Sequence, residues 1–218
     1  SLAAAVLLAH ASRVLAATAL PAQSVHEIAA SLQKKYDAVK DFTADFEHTY
    51  EGGVLRKRVT EKGTVQIKKP GMMRWIYKEP QRKEFVSDGR RVYVYLPADK
   101  QVMVDRVPQE DEATSAVLFL AGKGNLTRDF AVTQVPTAPT DAWGLKLMPK
   151  VKDRDYDWLE LVVDRATFQI RVLSFEDKGG RSTFRFSNFK ENTGLSDKIF
   201  VFKIPAGADV ITNGSTAR

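Results

Sequence analysis

Side chains able to perform chemistry are few in this sequence and stand apart from one another. The three histidines, His10, His26 and His48, match no metal-binding spacing, and no HExxH-type run surrounds any of them. No GxSxG elbow, glycine-rich phosphate loop or pairing of a histidine with an acid occurs. The acidic residues sit singly in turns or on polar faces. Asp88, in Ser87-Asp88-Gly89, could be mistaken for a catalytic acid. The same three residues make a tight hairpin turn, in which Asp bonds its own backbone and Gly takes the left-handed conformation, and that reading is preferred. With no cysteine in the chain, disulfides, thiolate zinc sites, a cysteine nucleophile and a lipid-modified cysteine are all excluded. The expectation is a protein without catalytic residues, metal or cofactor, and not an enzyme.

If chemistry is absent, containment is the alternative, and the composition permits it. At 218 residues with 44% hydrophobic and 28% charged content, the chain can bury one sizeable core. A net charge of +6 and a pI near 9.4 would suit nucleic acid, anionic lipid or an acidic partner. Apart from Arg56-Lys57-Arg58, Lys68-Lys69 and Arg90-Arg91, however, the basic residues alternate with apolar ones, as on the solvent face of a sheet, so nucleic acid is not expected. Residues 1–24 are alanine-rich and apolar, with Ala9-His10-Ala11 and Ala17-Thr18-Ala19 of the small-x-small type that signal peptidase accepts. They look like a secretory leader, with an ordinary first helix as the alternative, and the run is too short to span a bilayer.

The elements that would enclose something follow from periodicity. Val25, Ile28, Ala29, Leu32, Tyr36 and Val39 recur at three- and four-residue steps, predicting an amphipathic helix over Val25 to Val39. The period then changes to two, with Phe42, Ala44 and Phe46 on one side of a strand that begins near Asp41. Further strands are expected at Val59–Lys69, Met72–Lys78, Glu84–Val86, Arg91–Leu96, Gln101–Asp105, Phe130–Val135, Trp143–Met148, Trp158–Asp164, Phe168–Phe175, Arg181–Phe189 and Phe200–Ile204, most bounded by Gly, Pro or Asp signals. Asp111 to Ala121 breaks the rhythm and predicts a short second helix whose oily face is Val117, Leu118, Phe119 and Leu120. The tail after Val210 is polar and expected to fray. A single domain over 25–210, mainly β with some α, in one long curved sheet or barrel, is the fold these signals predict.

Met73, Trp75 and Tyr77 share one strand face; Val65 and Ile67 precede them with the same alternation, and Phe85, Val92 and Val94 follow. Pattern alone leaves open whether this stripe is ordinary core or the wall of a ligand cavity.

Four segments, in order, resemble the outer-membrane lipoprotein carrier (LolA) family. They are FTADFEH at Phe42–His48, although a Gln is common where His48 stands; GTVQIKKPGMMRW at Gly63–Trp75; FVSDGRRVYVYLPADKQV at Phe85–Val102; and FVFKIPAGADV at Phe200–Val210. The resemblance implies an incomplete antiparallel β-barrel of about eleven strands whose concave side is covered by a helical lid. It implies a cavity for acyl chains lined by Phe42, Phe46, Val65, Ile67, Met73, Trp75, Tyr77, Phe85, Val92 and Val94. The lid would be Ile28, Leu32 and Val39 together with Val117–Leu120. A basic residue before the Pro of the second segment holds the family's lid closed; here it is Lys69, which lacks the planar fork of arginine. The implied function is a monomeric periplasmic chaperone that takes lipoproteins from an inner-membrane ABC transporter toward the outer membrane, with an outer-membrane receptor as a further partner. A rival is a carrier of another lipid, a glycolipid or polyketide lipid, on the same half-barrel. A stress sensor of this fold would carry a second domain, for which this length leaves no room, and a solid-cored binding module or a lipid-degrading enzyme are more distant readings. The leader residues Leu2, Val6, Leu7 and Leu8, if retained, could occupy the cavity in place of cargo.

Overall fold

The computed structural model describes residues 23–52, 57–107, 120, 122, 124–136, 138–151 and 156–212. Its first element, α1 (Val25–Ala38), begins at a capping box: the Ser24 hydroxyl accepts the Glu27 N–H, and the Glu27 carboxylate accepts the Ser24 N–H at 2.8 Å. Two orphan donors of the helix N-terminus are thereby satisfied reciprocally. Ile28, Ala29 and Leu32 form its buried stripe, at the helical spacing read above.

Twelve strands follow: β1 (Asp41–Gly52), β2 (Lys57–Lys68), β3 (Met72–Glu79), β4 (Lys83–Asp88), β5 (Arg91–Leu96), β6 (Gln101–Arg106), β7 (Phe130–Val135), β8 (Ala142–Pro149), β9 (Trp158–Asp164), β10 (Ile170–Asp177), β11 (Gly180–Glu191) and β12 (Asp209–Thr212). A single helical turn, α2 (Leu126–Asp129), precedes β7. All the strands join one sheet in the order β12-β6-β5-β4-β3-β2-β1-β11-β10-β9-β8-β7. Every pairing is antiparallel except β12 on β6. Because β12 and β7 do not pair with each other, the sheet is an open, curved half-barrel whose concave side holds the main core. Bulges at Thr43/Asp45, Lys62/Gly63 and Ile170/Val172 bend it.

Two expectations need correction. Phe200–Ile204 is not a strand: Asp197–Phe200 is a 3-10 turn, and the chain then runs extended across the convex side of the sheet without a ladder. Its alternation is real, with Phe200 buried, Val201 exposed and Phe202 stacked 5.2 Å from Tyr93, but a period of two reports extended backbone, not a hydrogen-bonding partner. The tail, expected to fray from residue 211, instead keeps Ile211 and Thr212 in β12, which pairs in parallel with β6 and raises the strand count from about eleven to twelve.

Cross-strand register puts Phe42, Ile67 and Met73 in one row, and Ala44, Val65, Trp75, Phe85 and Val94 in the next. On the other wing a further row runs from His48 through Phe184, Leu173, Leu161 and Leu145. This concave face and α1 share one core. Gly63 lies in the middle of it, where a Cβ would come within 2.1 Å of the Ile76 carbonyl oxygen and 2.7 Å of Phe46 Cζ. A backbone oxygen held in a ladder cannot yield, so Gly63→Ala is expected to cost about 2–3 kcal/mol as an overpacked site. A urea unfolding midpoint equal to wild type would refute this.

Candidate functional site

Of the ten residues expected to line an apolar cavity, eight meet in the core: Phe42, Phe46, Val65, Ile67, Met73 and Trp75 are buried, and Tyr77 and Phe85 pack against them half-buried. Val92 and Val94 share their face by register but are only half-buried and lie outside that core. Sequence reading did not name the second wing, where Leu145, Leu147, Leu159, Leu161, Leu173, Phe184 and Phe186 supply as much of the surface. Their strands were predicted; which faces meet those of β1–β5 depends on the β1–β11 pairing, which joins residues at least 128 positions apart, from Gly52–Gly180 upward.

In this state the face is packed rather than hollow. Phe46 makes edge contacts with Trp75 at 5.0 Å and Tyr77 at 4.9 Å, and Trp75 makes one with Phe184 at 5.3 Å. Such pairs add ~0.5–1.5 kcal/mol beyond area burial. The Trp75 indole N–H is buried and has no acceptor among the described residues.

Of the expected lid residues, Ile28, Leu32 and Val39 are buried against the face, and so is Leu120. Val117, Leu118 and Phe119, with most of the expected second helix, lie outside the described residues, as does nearly all of the leader-like segment.

Lys69 sits where the resemblance puts a lid-holding cation. Its Nζ donates to the Tyr36 carbonyl in the last turn of α1 and lies 3.4 Å from the centre of the Tyr36 ring. The neighbouring motif positions it: the Ser87 hydroxyl donates to the Gly71 carbonyl at 2.8 Å, tying the Ser87-Asp88-Gly89 turn to the Pro70-Gly71 turn. Asp88 closes its own turn by accepting the N–H groups of Arg90 and Arg91 at 2.8 and 2.7 Å, with Gly89 at φ 89°. Burial lowers the Lys69 ammonium from 10.5 to about 8, against the opposing pull of Asp37 and Glu191. Two further fasteners hold α1: the Lys35–Glu191 ion pair, and the Leu126 N–H donated to Gln33 Oε1 at 2.8 Å.

At the far end of the face, His48 places Nδ1 3.3 Å from Glu61 and Nε2 3.3 Å from the Ser182 hydroxyl, and stacks on Phe184 at 4.1 Å. Lys83 Nζ lies 2.8 Å from the same Glu61 carboxylate. Burial holds the imidazole below its ordinary value while Glu61 opposes it. The described residues contain no group of three or more His, Cys, Asp or Glu arranged to hold a metal. What the arrangement can do is cover or uncover a large apolar surface.

Comparison with known proteins agrees with this geometry. The chain is 30% identical over 205 residues to the outer-membrane lipoprotein carrier protein of Hahella chejuensis, covering 91% of this chain and 96% of that one. It is 31% identical over 197 residues to the protein of the same name from Chromohalobacter salexigens, covering 89% and 91% respectively. Among solved structures, an uncharacterized conserved protein from Thermus thermophilus superposes with a TM-score of 0.53 at 17% identity, over 87% of this chain and 99% of that one, which supports the fold. Residues 37–203 match the profile of the family described as "Outer membrane lipoprotein carrier protein LolA", and the chain accordingly belongs to that family.

Proposed function

We propose that this protein carries lipid-modified proteins through the periplasm, sheltering their acyl chains on the concave face of the half-barrel. In this reading it is exported by a signal peptide within residues 1–24. It is loaded by an inner-membrane lipoprotein-releasing ABC transporter, acts as a monomer without catalysing a reaction, and delivers cargo toward an outer-membrane receptor. The observation that carries the reading is an apolar face spanning both wings of an open sheet, covered by a helix that polar contacts from Lys69, Glu191, Asn192 and Leu126 hold in place.

The energetics suit a carrier. Each methylene left in water costs ~0.8 kcal/mol, so a sixteen-carbon chain costs on the order of 12 kcal/mol and does not cross an aqueous space unaided. A permanently open cavity would bind such a chain too tightly to release it. Here the face packs against itself and α1, so cargo would displace contacts already made, and only the surplus would appear as affinity. Displaced cargo leaves behind a satisfied core rather than a void.

The test is to mix the purified full chain with a triacylated lipoprotein held in mild detergent, dilute the detergent, and follow both on gel filtration. Co-elution as a one-to-one soluble complex is expected. Aggregation of the lipoprotein with the carrier eluting alone would refute the reading, and capture of a glycolipid but no lipoprotein would replace it with carriage of another lipid.

A further inference from the structure

The seal over the concave face is incomplete beside the C-terminal end of α1. A cavity of about 30 Å³ lies there, walled by Tyr36 of α1, Val39 just beyond it, Phe42 of β1, Ile170 of β10, and Phe186 and Phe189 of β11. Phe42 and Phe186 also belong to the main core, so the cavity is continuous with the apolar face. Its rim is polar. Lys35 and Glu191 form an ion pair across it, 31% and 25% exposed, and Gln169 Nε2 lies 3.5 Å from the Glu191 carboxylate. Partly exposed pairs of this kind are weak and break readily.

The backbone around the cavity is irregular. Phe168, whose ring lines the cavity, has φ 56°, and Asn188 and Asn192, on either side of Phe189 and Glu191, both have φ 53°. A bulky aromatic residue in the left-handed region is strained, and such strain persists where surrounding structure holds it for a purpose. Bulges at Thr43/Asp45 and Ile170/Val172 fall on the same wall. The cavity, the ion-paired rim and the strained wall therefore coincide.

We propose that this gap is the port by which an acyl chain of the cargo first enters the half-barrel, and that the Lys35–Glu191 pair with Gln169 is its gate. The inference rests on the carrier reading. The occupant is a linear saturated chain on a neutral ester or amide head. The chain meets only apolar walls, while the head meets one cation, one anion and one amide at the rim. A free carboxylate head would instead face Glu191. Once the gate parts, the chain slides toward Phe42 and Phe186, and α1 lifts from its C-terminal turn.

The chain contains no cysteine, so the double variant Lys35→Cys/Glu191→Cys carries two unique thiols that a reducible bis-maleimide linker can join. The probe is a dansyl-labelled, N-acylated S-diacylglyceryl-cysteine tripeptide amide, with association followed by stopped-flow fluorescence. Linking the gate is expected to slow uptake at least tenfold, and reduction of the linker to restore it. Gln169→Trp, which puts a ring at the rim without fastening α1, is expected to slow uptake comparably. Glu191→Gln is expected to accelerate it severalfold, and the swap Lys35→Glu/Glu191→Lys to return it to the wild-type rate. Wild-type rates in both the linked protein and Gln169→Trp would overturn the port. Slowing by the linker alone would overturn it too, since that shows only that α1 must lift, and in either case wild-type uptake leaves the carrier reading standing. Should the cysteine pair not fold by circular dichroism, Gln169→Trp and Glu191→Gln decide. No uptake by the wild type would remove port and carrier reading together.

Discussion

Replacing Trp75 by alanine is expected to destabilise the protein by about 3–5 kcal/mol, the range for deleting a large aromatic side chain from a core. Trp75 is 1% exposed, and its ring touches those of Phe46, Phe184 and Phe186, so its loss unpacks the point where the two wings of the sheet meet. For a chain of this size that loss corresponds to a melting temperature lower by roughly 6–20 °C. Trp75→Phe should cost much less, because it retains a ring and removes an indole N–H that has no acceptor among the described residues. Urea and thermal unfolding followed by circular dichroism test both, and similar losses for the two variants would show that the aromatic cluster does not carry this part of the core. The same number bears on function. In the proposed reading, the packing that Trp75 provides is what an incoming acyl chain would displace.

The second large effect concerns the latch. Lys69→Met removes the ammonium bonded to the Tyr36 carbonyl and stacked on its ring, and is expected to accelerate uptake of an acyl probe about tenfold at pH 7. Lys69→Arg retains a charge that does not titrate in the accessible range and adds a planar fork for backbone carbonyls, so it should slow uptake below the wild-type rate. The pH dependence follows from burial, which lowers the Lys69 value in the folded protein from 10.5 to about 8. Between about 8 and 10.5 the unfolded chain still holds a proton that the folded chain has released. This group's contribution to stability therefore rises with pH through that window, and is constant and least favourable below it. Lifting α1 returns the amine to water, so the latch follows the same sign. A neutral amine keeps a donor for the Tyr36 carbonyl and no longer carries the desolvation cost, which outweighs the attraction to Asp37 and Glu191 that it gives up. Wild-type uptake should thus slow between pH 7 and 9, with Lys69→Met and Lys69→Arg both flat. A wild-type rate independent of pH over that range, or variants that follow the wild-type curve, would show that Lys69 does not hold the lid.

Much of this protein could be read from local pattern. The spacing of Ile28, Ala29 and Leu32 and the Ser87-Asp88-Gly89 turn each depend on contacts within a few residues, where spacing dictates geometry. Strand parity was equally accessible: once Trp75 faces inward, Met73 and Tyr77 must too. The 200–204 segment was misjudged because Phe200, Phe202 and Ile204 alternate in sequence as a strand does, while Phe200 and Phe202 pack across the convex side instead of pairing and Ile204 stays exposed. Lys69 could be suspected only by resemblance; one lysine before a proline says nothing about a carbonyl 33 residues earlier.

By itself, then, the sequence determined most of the element types, the inward parity of the aromatic stripe, the absence of cysteine chemistry and, through its motifs, the family. The tertiary structure decided what depends on distant pairing. It joined β1 to β11 so that two half-faces became one apolar surface, brought Glu191 to Lys35, and closed that surface on itself rather than leaving it hollow. The physical reason is range. Side-chain periodicity and turn chemistry act over a few residues, whereas the register between strands far apart in the chain is settled only when both faces bury together.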